Sequence, residues 1–293
     1  LLNYVRLKFI TGKTNCLAML TYTIYSEAGG VGKTTLAASL ATAHADHGRD
    51  VLSIDLDPQQ GSLTHLLGVD APRDEGDADN IGRHLIDRPL GKFDELVHET
   101  KYGFDLVPSH DMLENLPSLL SRAEEMAEDL GEPFSPNERL LEVLAEAGVM
   151  DNYDTLIIDP PATAGLHLYN AIHATRSLVV PVEPTGKGMQ SVEGLEDVVL
   201  NLGDSLEIDI GVLAVVPNGI GSTSDQAKYL ERIRDLGFDA PVAIAERSSL
   251  FEGCWDQQYP PSHYVKQVRS AYSYEEETLA QLRELAAHIE EGA

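Results

Sequence analysis

The sequence predicts an α/β fold: a single doubly wound domain, with a mostly parallel twisted sheet and helices on both faces. Three observations carry this. Short apolar runs recur at residues 20–25, 51–54, 104–108, 155–159, 178–182 and 211–218. Unbroken runs of this length read as strands buried on both faces. Segments of helical periodicity separate them, with no internal repeat or low-complexity linker. Two of the runs lead into aspartates, Asp55 and Asp159, at the strand ends where an open α/β sheet binds its ligand.

Composition narrows the class. At 293 residues the chain can bury one large core. No run approaches eighteen apolar residues, so no membrane span is expected. Cys16 and Cys254 offer neither a disulfide framework nor metal-ligand spacing, which suits a reducing cytoplasm. The formal charge is −27, and from Met19 onward there are only six lysines. In dilute buffer that imbalance repels nucleic acid and destabilises a compact state. In multi-molar salt the screening length falls to roughly 3 Å and the repulsion fades. The composition matches a halophile's cytoplasmic protein, an ordinary acidic protein being the alternative.

Residues 1–18 carry three basic residues and little amphipathic order. They could pass for a short targeting peptide, but are taken as a non-native or disordered extension without function, ahead of a domain at 19–293.

The first strand, 20–25, runs into Glu27-Ala28-Gly29-Gly30-Val31-Gly32-Lys33-Thr34-Thr35. A helix follows, with Leu36, Ala37, Leu40, Ala41 and His44 on one face. Strand, glycine loop and a helix opening with Gly-Lys-Thr form the context of a phosphate-binding loop. Glycines let backbone N–H groups turn inward, the helix N-terminus adds partial positive charge, Lys33 adds a full one, and Thr34 can ligate Mg²⁺. The spelling resembles the deviant P-loop of the ParA/MinD ATPases, Lys-Gly-Gly-x-Gly-Lys-Thr-Thr. It matches at every position except the signature lysine, where Ala28 stands. In that family the first strand begins where Met19 lies, which points to an over-extended start.

The resemblance continues along the chain. Gly48 ends the first helix, and strand 51–54 leads into Asp55-Leu56-Asp57-Pro58-Gln59-Gln60-Gly61, similar to the family's Asp-x-Asp-Pro-Gln-x-Gly segment. It implies that Asp57 positions or activates the attacking water and that Asp55 supports the Mg²⁺ shell. Residues 62–67 and 81–86 read as short helices around an acidic, solvated loop at 70–79. After strand 104–108, amphipathic helices at 112–130 and 136–147 place leucines on one face, more often core than partner surface. Strand 155–159 ends at Asp159 before Pro160-Pro161. This is the Walker B pattern, which implies a water-mediated contact from Asp159 to Mg²⁺.

A helix at 165–175 and strand 178–182 deliver the loop 183–188, which in relatives lies by the nucleotide and the dimer interface. Lys187 is therefore a candidate to replace the missing lysine at position 28. Helix 192–206 and strand 211–218 end at Pro217 and Asn218. The resemblance implies that this pair meets the base, Asn218 through its amide; a turn residue in Pro-Asn-Gly is the alternative. Helix 224–236, a strand at 241–244 and a tail helix at 274–291 complete the chain. The segment 247–253 loosely resembles a DNA-contacting stretch, but only Arg247 is basic there. The tail helix has a glutamate-rich polar face, which argues against a membrane anchor.

As a whole, the resemblance implies a P-loop ATPase with ATP and Mg²⁺ as ligands. Gly29, Gly30, Val31, Gly32, Lys33, Thr34 and Thr35 hold the phosphates, with Thr34, Asp55 and Asp159 around the metal. It also implies an ATP-dependent homodimer and a ParB-like or cargo-adaptor partner. Non-specific DNA is a further, salt-limited candidate. The alternative is a nucleotide-gated switch with little hydrolysis. An iron–sulfur carrier is disfavoured for want of paired cysteines, and a tyrosine kinase is hinted at only by Tyr264, Tyr272 and Tyr274.

Overall fold

The runs are predominantly apolar because both faces of the sheet are covered. The computed structural model describes residues 19–60, 62–70, 76–221 and 224–292, so the expected extension 1–18, Gly61 and part of the acidic loop, 71–75, lie outside the described residues. β1 (Leu20–Ile24) leads into α1 (Lys33–Asp46), β2 (Val51–Asp55), α2 (Leu63–Leu66) and α3 (Ile81–Leu85). β3 (His98–Glu99), β4 (Asp105–Val107), α4 (Leu116–Leu130), α5 (Arg139–Glu146) and α6 (Val149–Asn152) follow. Then come β5 (Thr155–Asp159), α7 (Leu166–Thr175), β6 (Ser177–Val182), α8 (Gly186–Glu193), α9 (Leu195–Leu206) and β7 (Gly211–Ile220). The chain ends with α10 (Ser224–Asp235), β8 (Ile244–Ala245), α11 (Ser248–Gln257), α12 (Pro261–Gln267) and α13 (Ser273–Gly292).

Among the described residues the strands form one eight-stranded sheet, ordered β3-β4-β2-β5-β1-β6-β7-β8. All pairs are parallel except β3 with β4. Alternate residues divide between faces, as strand geometry requires. Tyr22, Ile157, Val179, Ala214 and Val216 pack on α1 and α11 to α13. Leu52, Ile54, Leu156 and Ile158 pack oppositely on α3, α4, α5 and α7. Leu178, Val180 and Val215 meet α8, α9 and Ile233 of α10. Leu113, Leu116, Leu120, Leu140 and Leu144 are core, as expected.

The departures are local. The edge strand β3 is too short to show a pattern. The strand expected at 241–244 is reduced to Ile244–Ala245. The expected loop at 183–188 instead starts α8, because the Thr185 hydroxyl accepts the Gly188 N–H at 3.1 Å and caps the helix. The next expected helix is broken at Gly194. No helix among the described residues is long and apolar enough to cross a membrane. The apolar stripe of α13, Leu279, Leu282, Leu285 and Ile289, is buried in the core.

Candidate active site

The sheet order sets the site. β5 lies between β1 and β2, with Thr23 opposite Ile158 and Asp55 opposite Asp159. The P-loop and both acid-tipped strands therefore open on one edge, into a cleft of about 1030 Å³. Gly29, Gly30, Gly32, Lys33, Thr34, Thr35, Asp57 and Asn218 line it.

The loop's shape follows from its glycines. Gly30 and Gly32 have φ of +80° and +89°, a region costly for residues with a side chain. Gly32 also needs the space: a Cβ there would lie 2.4 Å from Asn218 Nδ2. Gly32 is the N-cap of α1, which has no side-chain cap and no acidic residue in its first turn. The positive end of the helix is thus left open, an arrangement suited to phosphate. Val31 is buried, and its carbonyl accepts a 2.8 Å bond from Asn218 Nδ2. Asn218 therefore braces the phosphate loop from β7, and Pro217 stands beside Val182 of β6.

The aspartates differ in environment. Asp159 is 1% exposed and neither carboxylate oxygen has a hydrogen-bond partner. Burial, then the neighbouring Asp55, push its carboxyl up to about 8. The Thr34 hydroxyl and Lys33 ammonium pull the other way without completing a bond. Asp55 is as buried but fully engaged. One oxygen accepts the Asp57 N–H at 3.0 Å; the other accepts the Thr64 N–H at 2.7 Å and its hydroxyl at 2.6 Å. Burial raises its carboxyl to about 6 against these bonds. Asp57 lines the cleft, with one oxygen accepting the Gln59 N–H at 2.9 Å.

Sequence reasoning missed the supports of this segment. Ser109 donates its N–H to the Thr64 hydroxyl at 2.7 Å and its own hydroxyl to the Asp57 carbonyl at 2.6 Å. Ser109 follows β4 on the same sheet edge, the one signal that could have flagged it. Trp255 was also missed: its indole N–H donates to Thr35 Oγ1 at 3.2 Å. With Ile244, Phe251 and Leu282 it forms an apolar wall of the cleft. Tyr25 and Glu27 line the opposite side, the Tyr25 phenol raised to about 12 by burial and then by Glu27. Among the described residues Lys33 is the one cation lining the cleft. The backbone of Lys187 lies in the first turn of α8; its side chain is outside the described residues.

Arg247 donates its Nε–H toward Tyr274 O and Thr278 Oγ1, both at 3.1 Å, and so ties the start of α11 to α13. Tyr264 is buried, and Arg269 lies over the Tyr264 and Tyr272 rings while pairing with Glu275. Of the tyrosine cluster, Tyr264 is thus packed, while Tyr272 and Tyr274 stack on each other at the surface, 56% and 48% exposed.

A family model described as an AAA domain matches residues 19–211. The chain is 33% identical over 198 residues to the chromosome-partitioning ATPase Soj of Thermus thermophilus, covering 66% of this chain and 68% of that one. Among solved structures, apo McdA of Cyanothece superposes with a TM-score of 0.70 at 23% identity, covering 94% of this chain and 99% of that one. The septum site-determining protein MinD of Pyrococcus horikoshii, complexed with Mg-ADP, gives 0.66 at 21% identity, covering 92% and 94%. At such identities the structural likeness establishes the fold, and the sequence matches establish the kinship. The uncapped glycine loop, the paired acid-tipped strands and these matches together make the chain a member of the ParA/MinD family of P-loop ATPases.

Proposed function

We propose that this chain binds Mg-ATP in the cleft and hydrolyses it to ADP and phosphate. Hydrolysis would drive a cycle between ATP-bound dimer and monomer that partitions or positions DNA or another cargo. One observation carries the reading: the buried, unpartnered Asp159 carboxylate beside Lys33 and Thr34 at the open end of α1.

Mg²⁺ fits the donors present. Thr34 and Asp159 offer hard oxygen atoms, and two carboxylate oxygens without partners are what a hydrated cation would satisfy. Asp55, whose oxygens already accept three bonds, supports that shell by holding the Asp57 segment in place. When bound, Mg²⁺ supplies neutralisation of phosphate charge. The chain does the rest. Backbone N–H groups from Gly29 to Thr35 hold the phosphates, and the Lys33 ammonium offsets charge that develops on the transferring oxygens. Asp57 accepts a hydrogen bond from the attacking water and orients it. The Gln59 and Ser109 bonds fix where that carboxylate sits. The base lies against the apolar wall near Pro217 and Asn218. One of the two Asn218 amide N–H donors is spent on Val31, which leaves the other and the side-chain oxygen for the base.

Trp255 is the sole tryptophan and bonds to Thr35, so its fluorescence is the assay. Titration with Mg-ATP in molar KCl should give a saturable change that Lys33→Ala abolishes. No saturable change in the wild-type protein would overturn the reading.

A second reading is a nucleotide-gated switch with little hydrolysis, acting through a protein partner. Ala28, and Lys33 as the one cation lining the cleft among the described residues, favour it. Lys187 contributed across a dimer is the candidate replacement, and an unchanged ATPase rate and dimerisation in Lys187→Ala would remove it. ATPase rates with and without DNA, and with a ParB-like or cargo-adaptor partner, separate the two functions: the cycling reading expects stimulated turnover. A cytoplasmic setting accords with both.

A further inference from the structure

The far end of the P-loop helix carries a second cluster. His44 lies in the last turn of α1 and His47 is its C-cap, three residues on, and both direct Nδ1 at one carboxylate of α13. The distance is 2.5 Å from His44 to Glu290 Oε1, and 3.0 and 3.2 Å from His47 to Oε1 and Oε2. The three ligand atoms lie within 4.8 Å of one another. His44 is fully buried, while the side chains of His47 and Glu290 are 29% and 20% exposed, leaving one open side.

We infer that His44, His47 and Glu290 form a binding site for a divalent transition-metal ion such as Zn²⁺, with water in the remaining position. The donor set is two imidazoles and a carboxylate, which selects zinc-like ions over Mg²⁺ and Ca²⁺. Bonds of about 2.0–2.2 Å in a tetrahedral arrangement place ligand atoms about 3.3 Å apart. The observed separations reach that with shifts under about 1 Å.

The second ring nitrogen of His44 supplies an independent observation. Its Nε2 lies 2.9 Å from the Tyr22 hydroxyl, itself buried in the core. A ligating imidazole needs a partner for its other N–H to fix tautomer and ring plane. Tyr22 provides one, since a hydroxyl can accept from Nε2–H as readily as donate to it. The ion would replace the proton shared between imidazole and carboxylate. It would pin α13 to α1 two helical turns from Leu282, which lines the cleft. The inference is independent of the ATPase reading.

The test uses the full chain stripped with chelator and titrated calorimetrically with Zn²⁺ in excess Mg²⁺. One equivalent should bind and raise the melting temperature. His47→Ala and Glu290→Gln should each weaken binding by at least about tenfold, the lower end of what even outer-shell changes cause. Asp159→Asn should bind zinc as the wild type does, separating this site from the P-loop. His47 is partly exposed, so that variant keeps the test decisive if Glu290→Gln folds poorly. No zinc binding, equal binding in His47→Ala, or loss in Asp159→Asn would each overturn the inference.

Discussion

Asp159→Asn should make the metal-free protein more stable and useless to Mg-ATP at once. Raising a carboxyl from its ordinary 3.8 to about 8 withholds roughly 4 kcal/mol from the folded state at pH 7, about three decades at ~1.4 kcal/mol each. The sign is fixed by which state holds the proton. Between those two values the folded chain keeps it and the unfolded chain releases it, so the cost is absent below about pH 4 and complete above about 8. Asparagine never titrates and escapes it. Its amide still occupies a site without partners, and an unmet buried polar group costs about 1–3 kcal/mol. At pH 8 the withheld free energy rises to roughly 5 kcal/mol, so the net gain there is about 3 kcal/mol, or roughly 6 °C for a domain of this size. Thermal melts in chelator at pH 5 and pH 8 read the difference, and the variant's advantage should be small at pH 5 and full at pH 8. Adding Mg-ATP should then raise the wild-type melting temperature by mass action and leave the variant unmoved. A variant no more stable at pH 8, or one that Mg-ATP still stabilises, would refute the account of Asp159.

Lys33→Ala should leave the nucleotide-free melting temperature within about 1 kcal/mol of wild type, since a partly exposed lysine carries little fold energy, yet abolish stabilisation by Mg-ATP in the same melts. Asn218→Ala removes the 2.8 Å brace on Val31; it should cost about 1 kcal/mol and weaken nucleotide binding several-fold by tryptophan fluorescence. With a formal charge of −27, the melting temperature should climb between 0.2 M and about 3 M KCl as repulsion is screened; a flat series would reject the halophilic reading. Arg269→Ala leaves Glu275, 1% exposed, without its paired guanidinium and should cost about 2–3 kcal/mol at pH 7, less than a fully buried pair because Arg269 is 25% exposed. The pairing holds the Glu275 carboxyl below its ordinary range. Its contribution is present above about pH 4.5 and lost as pH falls through the lower folded value, so the gap to wild type should close on acidification.

What the sequence made legible was whatever depends on near neighbours along the chain. Apolar runs covered on both faces become strands, glycines before Lys33 become an open helix end, and aspartates after such runs arrive at the sheet edge. What stayed hidden depends on residues far apart in sequence. Nothing around Asn218 indicates that its amide binds Val31, 187 positions away, nor does the neighbourhood of Ser109 reveal a strap holding Thr64 and Asp57. Nothing in the sequence around Trp255 marks its contact with Thr35 at the end of the phosphate loop. Arg247 looks like a lone basic contact for nucleic acid and is spent on α13. Polar side chains were the hard part, because their partners are chosen by the sheet order and not by spacing.

The charge balance of the cleft explains why such a site should depend on assembly. Glu27 and Asp57 line it, Asp55 and Asp159 are buried at the strand ends that lead to it, and Lys33 is the one cation lining it among the described residues. A triphosphate brings several more negative charges into the same low-dielectric space, where unscreened repulsion is strongest. One ammonium and one helix end cannot offset that, so nucleotide without Mg²⁺ should bind poorly. Even with the metal, charge building on the transferring oxygens meets no second cation from this chain's own loop, because position 28 is alanine. Cations supplied from outside the active site accelerate phosphoryl transfer by several orders of magnitude elsewhere. On the proposed reading, a site built this way would hold its nucleotide until a second subunit or a partner brings further positive charge, and that arrival would set the rate.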